Sequence, residues 1–208
     1  MQETQVVLFC ATSIPIILTP GPDIVYIVTR GVTQGRSSAL LSMFGVCLGY
    51  LVHTVLAVLG LSALLQTSET LFNVIRYVGA AYLIYLGFRA FRSSQQLSIS
   101  TDTAPGPGTN LVFTGIATSV MNPKAILFFL SFLPQFVRPS AGPVSTQILF
   151  LGLMFTFLCL AAYGIIAYFS GAFGNRLTTA PKAACVLRWA TGGVMIALGM
   201  SLALRKQV

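Results

Sequence analysis

Thr19-Pro20-Gly21-Pro22-Asp23-Ile24-Val25-Tyr26-Ile27-Val28 has a counterpart later in the chain, Val120-Met121-Asn122-Pro123-Lys124-Ala125-Ile126-Leu127-Phe128-Phe129. With Pro22 set against Pro123, Asp23 falls opposite Lys124, an acid against a base. Both charges stand inside apolar runs, where a charge is costly and is usually kept for function. Each stretch also carries helix-breaking residues. Proline-interrupted apolar segments at matching places in two halves of a membrane protein point to a transport site.

The surrounding composition fits a membrane setting. Of 208 residues, 55% are hydrophobic and 8% charged, whereas a soluble domain carries about 25% charged residues. Each spanning helix needs about 20 apolar residues. Six apolar segments answer to this, at roughly 5–29, 38–65, 72–91, 111–133, 145–171 and 186–204. The first is interrupted by Pro15, Pro20 and Pro22, and the fourth carries Pro123. The expectation is an all-α, polytopic integral membrane protein with six transmembrane helices, of which helices 1 and 4 are broken. The polar stretches between segments, 30–37, 66–71, 92–110, 135–144 and 175–185, read as linkers.

The halves match beyond the opening pair. Arg76-Tyr77 followed by Ala80-Ala81-Tyr82-Leu83-Ile84-Tyr85-Leu86-Gly87 corresponds to Arg188-Trp189 followed by Gly192-Gly193-Val194-Met195-Ile196-Ala197-Leu198-Gly199. After three crossings the second half starts on the opposite side, so the two halves form inverted three-helix repeats. Repeat 1 covers about 1–92, repeat 2 about 111–208, and the stretch at about 93–110, with Pro105-Gly106-Pro107-Gly108, links them within a single transmembrane domain over 1–208.

Net charge is +8. The basic residues stand singly at the ends of apolar runs, which argues against nucleic acid and for a role in setting orientation. Arg30, Arg36, Arg89, Arg92, Arg176, Lys182 and Arg188 collect on one side, against Arg76, Arg138, Arg205 and Lys206 on the other. The first side is then cytoplasmic and both termini face outward. Met1–Gln5 has no basic residue, so the first apolar run is read as a retained helix and not a cleaved signal.

Several residues could carry chemistry. The helix should restart at Pro22, since proline suits a first helical position. Asp23 then sits at the positive end of the new half-helix, either capping it or lining a polar cavity. Asn122 is a good cap and Pro123 a good first residue for the second restart. Lys124 is disfavoured there by the helix dipole. Asp23, the carboxylate of a bound substrate, or snorkelling to the headgroups would each compensate. His53 continues the i+4 series Gly45, Gly49, His53, Ala57, one face of a helix suited to close packing. It is read either as a structural hydrogen-bonding group or as a proton-handling one. Tyr26, Tyr50, Tyr82, Tyr85 and Tyr163 suit a cavity lining or an interfacial belt. Gly31-x-x-x-Gly35 and Gly45-x-x-x-Gly49 suit close packing within one chain or in a homo-oligomer.

The cysteines, Cys10, Cys47, Cys159 and Cys185, form no paired motif and read as packing residues. No metal or cofactor site is expected. No G-x-S-x-G, H-E-x-x-H or phosphate loop is present, so the chain is not read as an enzyme. A competing reading keeps transport but takes a small toxic cation such as cadmium as cargo, held by Asp23, His53 and a cysteine. A non-transporting scaffold would have no need for matched helix breaks.

Pro20-Gly21-Pro22-Asp23, the Gln34-Gly35-Arg36 turn, Gly45…Gly49…His53 with Gly60-Leu61, Gly79-Ala80-Ala81-Tyr82-Leu83 with Leu86-Gly87, and Met121-Asn122-Pro123-Lys124-Ala125 with Phe132-Leu133-Pro134-Gln135-Phe136 resemble, in order, the motifs of the LysE/RhtB family of amino-acid exporters. The resemblance implies a secondary exporter of amino acids or close derivatives in the bacterial inner membrane, coupled to the proton gradient. A zwitterionic substrate suits the opposed charges. Its ammonium would meet Asp23, and its carboxylate Lys124 and the half-helix start at Asn122-Pro123. The substrate-binding candidates are therefore Asp23, Lys124, Asn122, Pro22, Pro123 and Tyr26, and the proton-coupling candidates Asp23 and His53.

Overall fold

The computed structural model describes residues 3–61, 69–92 and 108–179, together with residues 189, 192–193, 195–197, 199–200 and 203–204. Most of the expected linker, 93–107, lies outside them, as do Cys185, Lys182, Arg188, Arg205 and Lys206. Among the described residues the architecture is entirely helical.

The first apolar segment is two helices, α1 (Glu3–Leu18) and α2 (Pro22–Gln34), bent by 55° at the break between them. Pro22 opens α2 and Gly21 precedes it in an extended conformation. Thr19 closes the last turn of α1, its N–H and hydroxyl both donating to the Pro15 carbonyl at 3.1 and 2.8 Å. The fourth segment repeats the plan. α5 (Gly108–Val120) stops, and α6 (Pro123–Leu127) restarts behind Asn122 and runs through a π turn over Phe128–Phe132 into a 3₁₀ turn over Leu133–Phe136. The bend between these two arms is 50°.

The unbroken helices are α3 (Arg36–Leu56, extended by a π turn to Leu61), α4 (Glu69–Arg92) and α7 (Val144–Thr179). The stretches Arg36–Gly60 and Val144–Ser170 are each long and apolar enough to cross a membrane, and each bent pair adds one span if taken as a unit. Helix boundaries differ from the apolar segments in one direction. Arg30–Gln34, Glu69–Leu71, Gly108–Asn110 and Asn175–Thr179, read from sequence as linker, are helical. Apolarity marks the part of a helix that needs lipid, not the part that is helical. A polar end keeps its backbone bonds until a residue forces a stop. Between α2 and α3 that residue is Gly35, whose φ of 84° is strained for any side chain.

Close packing of α3 on α5 sets the centre of the bundle. A Cβ at Gly115 would lie 2.7 Å from the Ser42 carbonyl and 2.9 Å from Val46 N; one at Gly49 would lie 2.5 Å from Ser119 Cβ. The backbones thus touch, as small residues at four-residue spacing permit. Gly45 faces Val112 in the same seam. α1, α6 and α7 meet in an aromatic cluster, with Phe9 edge-on to Phe136 at 5.1 Å and Phe128 stacked on Phe155 at 3.9 Å.

α4 packs against the helical residues near 192–204, and the contacts are reciprocal. A Cβ at Gly87 would lie 2.6 Å from Ile196 and 2.8 Å from the Gly192 carbonyl; one at Gly199 would lie 2.6 Å from Ile84 and 2.8 Å from the Ala80 carbonyl. Partners advance on one helix as they retreat on the other, so the pair is antiparallel. Ala80 also packs against Ala203, and Phe91 against Trp189 at 4.9 Å.

Substituting Gly115→Val would push α5 off α3 and should cost about 1–3 kcal/mol, read as a lower melting temperature in detergent. Gly164→Ala, where a new Cβ meets nothing within 4 Å, should leave that temperature unchanged.

Candidate functional site

Breaking a helix inside an apolar layer exposes two sets of backbone groups, N–H groups at the restart and carbonyls at the stop. Both breaks in this protein lie side by side, and the charged residues of the paired stretches are held there. Asp23 has no exposed surface, and Lys124 keeps 7%.

Asp23 sits in the first turn of α2, where the positive end of the dipole favours a carboxylate. It makes no capping hydrogen bond to its own helix. Its Oδ2 atom accepts two bonds from other elements, from the Tyr50 hydroxyl of α3 at 2.5 Å and from Asn122 Nδ2 at 2.7 Å. Its Oδ1 atom is buried with no hydrogen-bond partner among the described residues. A carboxylate held by neutral donors on one oxygen and bare on the other is arranged to meet a further donor.

Asn122 does two jobs with one amide. Nδ2 donates to Asp23, while Oδ1 accepts from Lys124 N at 3.0 Å and so caps α6. That bond takes up a restart N–H that the sequence reading had offered to a substrate carboxylate. Pro22 and Pro123 supply no donors and act by placing the two restarts.

Lys124 donates from Nζ to the carbonyls of Thr19 at 3.1 Å and Ile16 at 3.4 Å. These belong to the end of α1, the negative pole of that half-helix. The compensation for a cation at a helix start is therefore another helix's C-terminus. Snorkelling is overturned by the burial. An ammonium has three donors, so one is unengaged among the described residues.

Tyr50 also meets the Tyr163 hydroxyl of α7 at 3.2 Å, and Tyr163 donates to the Ile17 carbonyl of α1 at 3.3 Å. Both tyrosines are buried in the interior and not in an interfacial belt. Their signal in the sequence was position, since each stands well inside an apolar segment rather than at its edge. Nothing in the sequence pointed to the backbone carbonyls.

His53 lies on the face that packs against α5, as its spacing from Gly45 and Gly49 suggested. Its Nε2 is 3.1 Å from the Ser119 carbonyl at the end of α5, and its ring stacks on Phe129 at 5.3 Å. A carbonyl only accepts, so Nε2 carries the hydrogen. Tyr26, one turn after Asp23 on α2, donates to the Leu111 carbonyl of α5 at 2.8 Å. Among the described residues, no three of His, Cys, Asp and Glu converge as metal ligands, so the cation-cargo reading finds no site there.

A family model described as LysE type translocator matches residues 14–206. The leucine efflux protein of Enterobacter sp. (strain 638) is 35% identical over 170 residues, covering 80% of this chain and 79% of the relative. The leucine efflux protein of Klebsiella pneumoniae is 34% identical with the same coverage. The uncharacterized membrane protein YrhP of Bacillus subtilis is 26% identical over 199 residues, covering 90% of this chain and 93% of its own. No solved structure matches the chain.

Asn122→Ala removes a helix cap and a donor to a buried carboxylate together. It should destabilise the protein by about 2–4 kcal/mol, measured by denaturation in detergent. Asn122→Ser, which keeps a cap, should recover part of that loss.

Proposed function

The chain belongs to the LysE type translocator family, and from that premise we propose that it is a secondary exporter of amino acids across the bacterial inner membrane. An apolar aliphatic amino acid is the substrate class that the leucine efflux relatives favour. The observation that carries the reading is Asp23 Oδ1, a buried carboxylate oxygen with no hydrogen-bond partner among the described residues. The substrate ammonium binds there while Tyr50 and Asn122 hold Oδ2. The remaining Lys124 donor takes the substrate carboxylate, without the restart N–H that Asn122 already engages. Pro22 and Pro123 fix the positions of the two charges, and Tyr26 secures α2 against α5 at the edge of the site.

We further propose six spans in one domain, arranged as two inverted repeats. The reciprocal antiparallel contacts of Gly87 and Gly199 support this arrangement. A two-fold that exchanges antiparallel spanning helices has its axis in the membrane plane, which is the symmetry of inverted repeats. On the positive-inside rule both termini face outward. Export is coupled to inward protons, with Asp23 as carrier and His53 as the second candidate. The membrane potential contributes about 2.3 kcal/mol per charge per 100 mV.

Everted membrane vesicles test these points. Wild-type vesicles should accumulate radiolabelled leucine, with other apolar amino acids competing, and an imposed pH gradient should increase uptake. Asp23→Ala and Lys124→Ala should each lower uptake about 10–100-fold while still inserting into the membrane. Unchanged uptake in either variant would sink the site assignment.

A further inference from the structure

Tyr163 is a buried polar group that the binding reading leaves unused. It lies on α7, its ring tilted against that of Tyr50 at 6.4 Å, and its hydroxyl has a single hydrogen. Two acceptors compete for that hydrogen, Tyr50 Oη at 3.2 Å and the Ile17 carbonyl at 3.3 Å. Tyr50 in turn commits its own hydrogen to Asp23 Oδ2 at 2.5 Å. A hydroxyl that donates to a carboxylate becomes a better acceptor, and accepting a bond makes it a better donor. The bond from Tyr163 to Tyr50 therefore strengthens the grip on Asp23. The bond from Tyr163 to Ile17 draws that support away.

The two acceptors belong to different parts of the protein. Tyr50 serves the site, whereas Ile17 stands in the last turn of α1, the arm bent by 55° from α2. The same arm end is held by Lys124 through Ile16 and Thr19. We propose that Tyr163 is a positioning residue that acts through Tyr50 on Asp23 and links the hold on the carboxylate to the seating of the α1 end. When α1 is seated, Tyr163 shares its hydrogen with Ile17. When α1 moves off, the hydrogen passes wholly to Tyr50 and Asp23 is held more firmly. Substrate affinity then differs between the two arrangements of the arm, so binding shifts the balance between them. This inference rests on the assignment of Asp23 as the substrate-binding carboxylate.

The test is a double-mutant cycle of Tyr50→Phe and Tyr163→Phe, which delete hydroxyls and keep the rings. Transport is read in everted vesicles as the half-saturating leucine concentration and the maximal rate. Tyr163→Phe should raise the half-saturating concentration about three- to tenfold and change the maximal rate much less. Added to Tyr50→Phe it should change the half-saturating concentration much less than it does alone, because its effect on Asp23 passes through Tyr50. Incorporating 3,5-difluorotyrosine at position 163, a stronger donor of nearly the same shape, should lower the half-saturating concentration.

A second readout needs no transport. The infrared carboxyl band of Asp23, assigned by its loss in Asp23→Asn, should shift in Tyr163→Phe in the same direction as in Tyr50→Phe, and the double variant should match Tyr50→Phe. An unmoved band, or additive shifts, overturns the positioning role. The predicted band shifts in a protein that carries no amino acid would preserve that role and overturn the export reading instead.

Discussion

A carbonyl left bare inside an apolar layer costs several kcal/mol, and the two helix breaks of this protein create such carbonyls at the ends of α1 and α5. Each set receives side chains from the other half of the chain. Lys124 and Tyr163, from the second half, bond the Ile16, Ile17 and Thr19 carbonyls of α1. His53, from the first half, faces the Ser119 carbonyl of α5. Each break also uses its own half, through Thr19 N–H on the Pro15 and Ile16 carbonyls and Asn122 N–H on the Ser119 carbonyl. The juxtaposition of the two breaks, and with it the gathering of Asp23, Asn122 and Lys124, depends on this exchange.

The exchange changes how the opposed charges work. Asp23 and Lys124 are not each other's immediate hydrogen-bonding partners. The acid is held by neutral donors and the base by backbone carbonyls, so each keeps capacity for something else. For Asp23 that capacity is Oδ1; for Lys124 it is the third ammonium donor. A tight ion pair would have to be broken before a zwitterion could bind, at the cost of exposing two buried charges. Separate partners avoid that cost. The α3–α5 seam serves the same end, because Gly45, Gly49 and Gly115 bring the backbones close enough for His53 to reach across.

Legibility in the sequence followed the range of the interaction. The breaks were readable because proline, glycine and asparagine act on their own and adjacent peptide units. Pro22 opens α2, and Asn122-Pro123 caps and opens α6, as those residues dictate locally. The His53 face was readable from i+4 spacing. Helix ends were not, since Arg30–Gln34 and Asn175–Thr179 are polar yet helical. Tyr50 and Tyr163 read equally well as cavity lining or as an interfacial belt, and the bond from Tyr26 to the Leu111 carbonyl left no mark in the sequence.

The sequence by itself determined that this is a helical membrane protein with two matched breaks bearing opposite charges, because composition and local backbone chemistry settle those points. The tertiary structure decided what the charges touch. Partners separated by many tens of residues, such as Asp23 with Asn122 or Lys124 with Thr19, are chosen by which helix ends meet in space. The acceptors on which Lys124 and Tyr163 act are main-chain carbonyls, which every residue carries alike. A group common to every residue leaves no mark in a sequence, so only the folded arrangement could single those carbonyls out.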